Sequence, residues 1–230
     1  MTIRIILTDI EGTTSAVSFV HEVLFPYAAR HMADYLQTHA EEPAVASQLN
    51  EVASLSGRNR EDLDGLILEL LGWIQEDKKI TPLKALQGMI WKKGFEEGAF
   101  KGHVYPDAYL QLKAWHESGI RLFIYSSGSV DAQQLMFGHS DFGDLRPLFD
   151  GYFDTRMGGK KESQSYHNII ENLGEDPSRI LFLSDVVAEL DAAKATGMQT
   201  VHLVREPGME TSADHPPAKD FNEVSDLAGL

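Results

Sequence analysis

The stretch that decides the fold is Ile3-Arg4-Ile5-Ile6-Leu7-Thr8-Asp9-Ile10-Glu11-Gly12-Thr13-Thr14. Its first half is a short apolar run rich in β-branched residues, which is typical of a strand buried at the centre of a sheet. Its second half is polar and carries two acidic residues, Asp9 and Glu11. In α/β sheets the ligand site lies at the carboxyl ends of the strands. The stretch therefore predicts an α/β protein with an acidic site directly after its first strand.

Beyond Tyr105 the predicted strands and helices alternate along the chain. This alternation predicts crossover connections and a parallel sheet that the first strand would join. The tail after Pro207 contains Pro216-Pro217 and is predicted to be mostly loop. The predicted strands are 121–125, a short 152–154, 180–183 and 200–204, and the predicted helices are 108–116, 130–137, 162–173 and one that ends near Gly197.

The part of the chain between the first strand and Tyr105 has a different pattern. Apolar residues recur there at three- and four-residue spacing over 20–36, 44–55 and 63–74, which predicts amphipathic helices. A fourth helix is predicted to start at Thr81-Pro82, with Thr81 as its N-cap and Pro82 at the first helical position. The sequence therefore predicts an all-helical block inserted into the α/β domain.

Composition excludes several classes of function. The 230 residues include 35 acidic and 20 basic side chains, for a formal net charge of −15. Such a surface repels nucleic acid and anionic lipid, so we expect neither as a partner. The absence of cysteine excludes disulfides, thiolate metal sites and cysteine nucleophiles. No apolar stretch approaches the length that spans a membrane, and we expect a cytoplasmic protein.

Four polar clusters follow the predicted strands at the edge where a ligand would bind. Each cluster alone has an ordinary explanation as a turn, a helix cap or a solvated surface pair. Their joint placement, each just beyond a strand, favours a functional site. The clusters are Asp9 to Thr14, Ser126-Ser127-Gly128-Ser129, Gly158-Gly159-Lys160-Lys161, and Ser184-Asp185 with Glu189 one helical turn further on.

The residue types in these clusters point to phosphoryl transfer. Asp9, Glu11 and Asp185 would bring three carboxylates together, and two such charges about 4 Å apart repel by about 4 kcal/mol at an effective dielectric near 20. A cation would relieve this repulsion, and ligands that are all oxygen suit Mg²⁺. Ser126 and the amides after it can hold phosphate oxygens, and Lys160 adds positive charge. A carboxylate nucleophile can form an acyl phosphate. We therefore predict a magnesium-dependent phosphatase with an aspartyl-phosphate on Asp9.

The same clusters resemble the motifs of the haloacid-dehalogenase superfamily and, within it, the enolase-phosphatases of methionine salvage. The most specific element is Glu11, because most phosphatases of the superfamily carry Asp at this second acidic position. The resemblance spans the chain from Ile6 to about Val204. The stretches that carry it are Asp9 to Thr14, Tyr125-Ser126-Ser127-Gly128-Ser129-Val130, Leu181-Phe182-Leu183-Ser184-Asp185-Val186, Phe137-Gly138-His139-Ser140, Phe153-Asp154-Thr155 and Leu86-Gln87-Gly88-Met89-Ile90-Trp91.

The resemblance implies a role for each candidate residue. Asp9 resembles the nucleophile and a Mg²⁺ ligand, and Glu11 the acid/base residue whose backbone carbonyl also meets the metal. The remaining matches are Ser126 and Ser127 with the substrate-binding pair, Lys160 with the phosphate-binding lysine, and Asp185 with the last Mg²⁺ ligand. The spacing Gly-x-Lys, followed three residues later by Ser, assigns this role to Lys160 instead of Lys161.

The resemblance also implies a reaction and a domain organisation. The substrate would be 2,3-diketo-5-methylthiopentyl-1-phosphate, which is enolised and then dephosphorylated to the acireductone 1,2-dihydroxy-3-keto-5-methylthiopentene. Residues 1–15 and 102–230 would form the Rossmann-like catalytic core, and residues 16–101 a mobile helical cap. The enzyme would bind one Mg²⁺ and be a monomer.

Three alternatives remain open from the sequence. The nearest is a phosphatase of the same superfamily that acts on another small phosphate ester. A phospho-accepting signalling module would be about half this length and would lack the large insertion. An inactive scaffold is disfavoured because Asp9, Glu11, Lys160 and Asp185 are all present.

Overall fold

The computed structural model describes residues 2–206 and 208–230. Residue contacts divide the chain into two compact units. The core unit consists of Met1–Val17 and Lys101–Leu230, and the helical unit of Ser18–Phe100. Within the described residues, no helix is both long and apolar enough to cross a membrane.

The core unit is built on a six-stranded parallel sheet in the order β3-β2-β1-β4-β5-β6. Ile5 of the first strand pairs with Arg121 on one side and with Ile180 on the other, so this strand is central. All four of its residues are buried, as the apolar run predicts. The strands are β1 Ile5–Thr8, β2 Arg121–Tyr125, β3 Gly151–Phe153, β4 Ile180–Ser184, β5 Gln199–Leu203 and β6 Pro217–Ala218.

The helices of the helical unit are α1 Phe25–His39, α2 Pro43–Ser56, α3 Leu63–Gln75 and α4 Thr81–Glu96. The helices of the core unit are α5 Pro106–Glu117, α6 Val130–Gly138, α7 Ser163–Leu173, α8 Val187–Lys194 and α9 Phe221–Ala228. The predicted fold class, an α/β parallel-sheet core with an inserted all-helical block, is confirmed.

One apolar cluster packs α7 and α8 against a face of the sheet. Alternate residues of the strands, such as Ile5 and Leu7, contribute to it because side chains along a strand point to opposite faces. Tyr166 and Leu190 bring the two helices to the same cluster. This packing fixes the starts of α7 and α8 at the carboxyl ends of the central strands, where the polar clusters lie.

The helical unit has an apolar core of its own. All four helices contribute to this cluster, and its members include Met32, Leu49, Leu66 and Leu86, which are fully buried. The first predicted helix, over 20–36, begins instead as a π-helical stretch, Phe19–Leu24, that continues into α1. The indole N–H of Trp91 donates to the carbonyl of Leu24 at 2.8 Å, a long-range contact that local periodicity cannot predict.

The predicted cap of α4 is wrong by one residue. Ile80 is the N-cap, in extended conformation and without a side-chain capping bond, and Thr81 is already helical. Pro82 therefore occupies the second helical position. Its missing N–H is tolerated there because the first N–H groups of a helix have no intrahelical acceptor.

The tail after Pro207, which itself lies outside the described residues, is loop over 208–216 as predicted, but it ends in a strand and a helix that the sequence analysis does not predict. Pro217 belongs to β6, at the edge of the sheet, where a strand can accommodate a residue without an N–H. Asp220 begins α9 because its carboxylate accepts the N–H of Glu223 at 2.9 Å. The apolar side of α9 packs on α5, with Trp115 stacked on Phe221.

Candidate active site

Asp9 is the first residue after β1, and its side chain is only 6% exposed. Its main-chain N–H donates to the carbonyl of Leu183 in β4 at 2.9 Å. Its own carbonyl accepts the hydroxyls of Thr8 and Thr14. The carboxylate oxygen Oδ1 accepts the N–H of Ile10 at 2.8 Å. Because these bonds hold both its main chain and its side chain, Asp9 presents its carboxylate in one orientation.

Lys160 connects two buried carboxylates. Its Nζ atom lies 2.7 Å from Oδ1 of Asp9 and 2.7 Å from Oε2 of Glu189. Burial alone would lower the pKa of Lys160, but the charges of Asp9 and Glu189 outweigh burial and raise it. Lys160 is therefore a buried cation, whereas the neighbouring Lys161 is exposed to solvent.

The loop that carries Lys160 is held by three side-chain hydroxyls. They donate to three consecutive main-chain carbonyls: Tyr125 to Gly158 at 3.0 Å, Ser165 to Gly159 at 2.6 Å and Tyr166 to Lys160 at 2.7 Å. Gly158 has a φ of 126°, a conformation that residues with a Cβ rarely adopt. These bonds come from β2 and α7, and they set which of the two adjacent lysines points inward.

Glu189 belongs to the site, although the sequence assigned it no role. It lies in the first turn of α8, and its Oε2 atom accepts the hydroxyl of Ser184 at 3.0 Å in addition to its contact with Lys160. Burial and then the charge of Asp9 raise the pKa of Glu189, and Lys160 opposes them. The signal in the sequence was its position, because a residue one helical turn after Asp185 returns to the end of β4.

Asp185 follows β4 directly, and its Oδ1 atom is buried without a hydrogen-bond partner among the described residues. Burial and then the charge of Asp9 raise the pKa of Asp185 to about 7. Gly12 adjoins this carboxylate so closely that a Cβ there would collide with it. The imidazole of His202 donates from Nε2 to the carbonyl of Asp185 at 3.0 Å. Asp185 is thus held by its main chain, with one carboxylate oxygen left to bind a ligand.

The donor set fits a hard divalent cation. Across residues 2–206 and 208–230, no three His, Asp or Glu side chains form a ready-made metal cluster. Mg²⁺ does not need one, because it binds through one or two carboxylates and keeps several waters. Asp9 and Asp185 are the carboxylates that could hold such an ion, and the Oδ1 atom of Asp185 has no hydrogen-bond partner among the described residues.

Ser126 and Ser127 begin the turn between β2 and α6. Ser126 is buried, and its hydroxyl accepts the N–H of Gly128 at 3.1 Å. Ser129 caps α6, and Gln133 of that helix donates back to the carbonyl of Gly128 at 2.8 Å. The turn therefore presents hydroxyls and amides at a helix N-terminus, an arrangement that suits an anion such as phosphate.

The structure brings all six sequence-predicted site residues to one pocket of the core unit. The pocket has a cavity volume of about 160 Å³ and opens to solvent. Its polar lining combines acidic, hydroxyl and ammonium groups, and two valines add an apolar part. The residues that line it are Asp9, Glu11, Val17, Ser126, Ser127, Lys160, Asp185, Val186 and Glu189.

Comparison with known proteins gives a consistent family assignment. The family model of haloacid dehalogenase-like hydrolases matches residues 3–197. Among curated relatives, the Enolase-phosphatase E1 of Hahella chejuensis is 58% identical over 96% of this chain and 95% of its own length. The Enolase-phosphatase E1 of Marinobacter nauticus is 57% identical over 98% of each chain.

Solved structures agree with the sequence comparisons. The crystal structure of the UTR4 protein from Saccharomyces cerevisiae is similar with a TM-score of 0.79 and 37% identity, covering 96% of this chain and 99% of that one. The haloacid dehalogenase-like hydrolase YfnB from Bacillus subtilis, described as bound to magnesium, has a TM-score of 0.61 at 14% identity over the full length of both chains, so it shares the fold. By its family model and its near-full-length relatives, the chain belongs to the haloacid dehalogenase-like hydrolases and, among them, to the enolase-phosphatases, and it is a phosphatase.

Proposed function

We propose that this chain first enolises 2,3-diketo-5-methylthiopentyl-1-phosphate and then removes its phosphate. The product would be the acireductone 1,2-dihydroxy-3-keto-5-methylthiopentene, an intermediate of methionine salvage. Relatives that match the chain over nearly its whole length carry both activities in their name. The match of the Glu11 motif to this family supports the same substrate.

The observation that carries the phosphatase half is the contact of 2.7 Å between the ammonium of Lys160 and the carboxylate of Asp9. The contact places a fixed ammonium beside the carboxylate that would attack phosphorus and form the acyl phosphate. The same ammonium can balance the negative charge of the transferring phosphoryl group. Ser126 and Ser127 line the same pocket and supply hydroxyls for the phosphate oxygens.

We propose that the reaction depends on one Mg²⁺, held by Asp9, Asp185 and the main-chain carbonyl of Glu11. Two carboxylates and an unpartnered carboxylate oxygen support this assignment. When bound, the ion neutralises the carboxylates and the phosphate oxygens, which would otherwise repel one another. The related hydrolase YfnB is described as binding the same metal.

Phosphoryl transfer would occur in two steps. In the first, a carboxylate oxygen of Asp9 attacks phosphorus and the bond from phosphorus to the substrate oxygen breaks. Glu11 donates a proton to this leaving oxygen. In the second, water attacks phosphorus, Glu11 takes its proton back from that water, and the acyl phosphate breaks to free phosphate and Asp9. Atoms and charge balance over the cycle, and the enzyme returns to its starting form.

For the helical unit we propose the role of a cap that moves during turnover, because enzymes of this kind exclude water while the phosphoryl group transfers. We further propose that the enzyme works as a monomer on a small phosphorylated diketone.

The decisive experiment uses purified protein, the diketone phosphate and Mg²⁺. Enol absorbance and phosphate release are followed together, and we expect absorbance to rise before or with phosphate release. Phosphate release without an enol intermediate would contradict the enolase step. A panel of other small phosphate esters serves as the control, and a clearly higher kcat/KM for one of those esters would contradict the proposed substrate.

A further inference from the structure

Arg205 lies just beyond β5, with a buried guanidinium that is only 7% exposed. Its Nε and Nη2 atoms both donate to the carbonyl of Thr13, at 3.1 and 2.7 Å. Its Nη1 atom donates to Asp107 at 2.8 Å. The guanidinium also lies 4.1 Å from the centre of the Tyr105 ring. Charge, hydrogen bonds and stacking together hold this side chain in one conformation.

Thr13 belongs to the turn that directly follows Asp9, the proposed nucleophile. The N–H groups of residues 13–15 all donate to the carbonyl of Ile10, and the N–H of Gly12 donates to Ser15 at 2.8 Å. These bonds close the turn locally, and the N–H of Tyr105 attaches it to the fold by donating to the carbonyl of Thr14 at 2.9 Å. Arg205 adds a further attachment at Thr13, across 192 positions of sequence.

The residues next to Thr13 are those that the proposed chemistry needs. Gly12 abuts the carboxylate of Asp185, and Glu11 precedes Gly12 on the same turn. A shift at Thr13 would therefore move Glu11 and change the space around Asp185 together. We propose that Arg205 is a positioning residue, which holds the Thr13 carbonyl and so keeps Glu11 at its working distance from the phosphoryl group. This inference rests on the proposed role of Glu11 as the acid/base residue.

Removal of the guanidinium should affect catalysis more than substrate binding. Arg205→Ala leaves the Thr13 carbonyl without its anchor, and we expect kcat to fall by about 10- to 100-fold, as for a slightly misplaced catalytic group. KM should change by less than about threefold, because Ser126, Ser127 and Lys160 do not depend on this contact. Arg205→Lys keeps the charge but cannot reproduce the two guanidinium N–H donors to the carbonyl of Thr13. We therefore expect a loss of kcat between those of the wild type and Arg205→Ala.

A double-mutant cycle distinguishes positioning from a general effect on the fold. If Arg205 acts through Glu11, then Arg205→Ala added to Glu11→Gln should lower kcat by less than about threefold further. A general structural defect would instead multiply the two losses. Arg179→Ala is the matched control, because Arg179 is 44% exposed and pairs only loosely with Glu175 at 3.8 Å. We expect wild-type kinetics from this control.

All variants are compared with the wild type by circular dichroism and thermal unfolding before the kinetics are measured. Wild-type kcat in folded Arg205→Ala, or fully multiplicative losses in the cycle, would overturn the proposal. So would failure of both Arg205→Ala and Arg205→Lys to fold, since Arg205 would then hold the domain and not the turn. If the wild type does not turn over the diketone phosphate but hydrolyses another alkyl phosphate, the proposed substrate is wrong. The same series of variants, measured with that other ester, would still test the role of Arg205.

Discussion

The Nζ atom of Lys160 lies 2.7 Å from Oδ1 of Asp9, and both side chains are almost fully buried. The proposed nucleophile is therefore one half of a buried ion pair. Removing one member of such a pair leaves the other charge uncompensated, which is strongly destabilising. Glu189 moderates this effect, because it gives Lys160 a second carboxylate at the same distance. Variants at this site must consequently be checked for folding as well as for activity.

Asp9→Asn should abolish phosphate release while the protein remains folded. The amide has the shape of the carboxylate but cannot form an acyl phosphate, and Lys160 keeps its contact with Glu189. Phosphate release and thermal unfolding are measured on the same preparation. A variant that retains more than about a tenth of wild-type turnover would exclude Asp9 as the nucleophile.

Alanine substitution of the two adjacent lysines, Lys160 and Lys161, should affect kcat/KM very differently. Lys160→Ala removes the buried ammonium that contacts Asp9, and we expect a severe loss of kcat/KM. Lys161→Ala removes an exposed charge, and kcat/KM should change by less than about threefold, or ~0.7 kcal/mol. Steady-state kinetics of both single variants make the comparison. A severe loss of kcat/KM in Lys161→Ala together with near wild-type kcat/KM in Lys160→Ala would contradict the assignment of Lys160 as the phosphate-binding lysine.

Much of the fold follows from local signals. Ile5 and Ile180 lie in apolar runs whose burial requires no knowledge of distant partners. Polar residues after those runs, such as Asp9 and Asp185, locate the site because parallel strands end at a common edge. The choice of Lys160 as the inward lysine comes from the resemblance, whose pattern matches Gly158, Lys160 and Ser163.

The remaining features depend on contacts between distant residues. Arg205 and Thr13 meet only after the sheet has formed, and no periodicity indicates that they will. At the end of the tail, Pro216-Pro217 predicts a loop, while the edge of the sheet accepts Pro217 as a strand residue. The carboxylate of Asp220 followed by Glu223 was a capping signal that could have predicted α9.

Glu11→Gln should slow turnover without preventing the first chemical step. General acid/base catalysis typically contributes about 10²- to 10⁴-fold, and its loss affects both leaving-group departure and hydrolysis of the acyl phosphate. We therefore expect a phosphorylated protein to accumulate after mixing with substrate. Intact-protein mass detects the added phosphoryl group, and Asp9→Asn provides the unphosphorylated control. Turnover at the wild-type rate would leave Glu11 with a structural role only.

Metal removal should abolish activity reversibly. A chelator should stop phosphate release and Mg²⁺ should restore it, because Asp9 and Asp185 are the proposed ligands of the ion. Ca²⁺ should inhibit, since it prefers more ligands in looser geometry and would misplace Asp9 for attack. Phosphate release is measured while each ion is titrated into the chelated enzyme. Full activity in chelator would disprove the metal assignment.

Gly12→Ala should weaken the metal site specifically. Gly12 has a φ of 72°, and a Cβ there would collide with the carboxylate of Asp185. Gly57 offers a matched control, because its φ of 70° imposes the same backbone strain while a Cβ would meet no atom within 4 Å. We expect Gly12→Ala to require far more Mg²⁺ for half-maximal activity, and Gly57→Ala to lose stability only. Equal Mg²⁺ dependence in the two variants would contradict this.

The position of β1 at the centre of the sheet has a consequence for synthesis on the ribosome. Its neighbours are Arg121–Tyr125 and Ile180–Ser184, so the first strand to be translated is flanked only when most of the chain has emerged. Until then its apolar residues have no sheet to join, and Asp9 has no Lys160 beside it. The helices of Ser18–Phe100 share a core of their own and can assemble earlier from contacts within that segment. The helical unit can thus assemble before Asp9 meets Lys160, and the proposed phosphoryl chemistry would require most of the chain to have been translated.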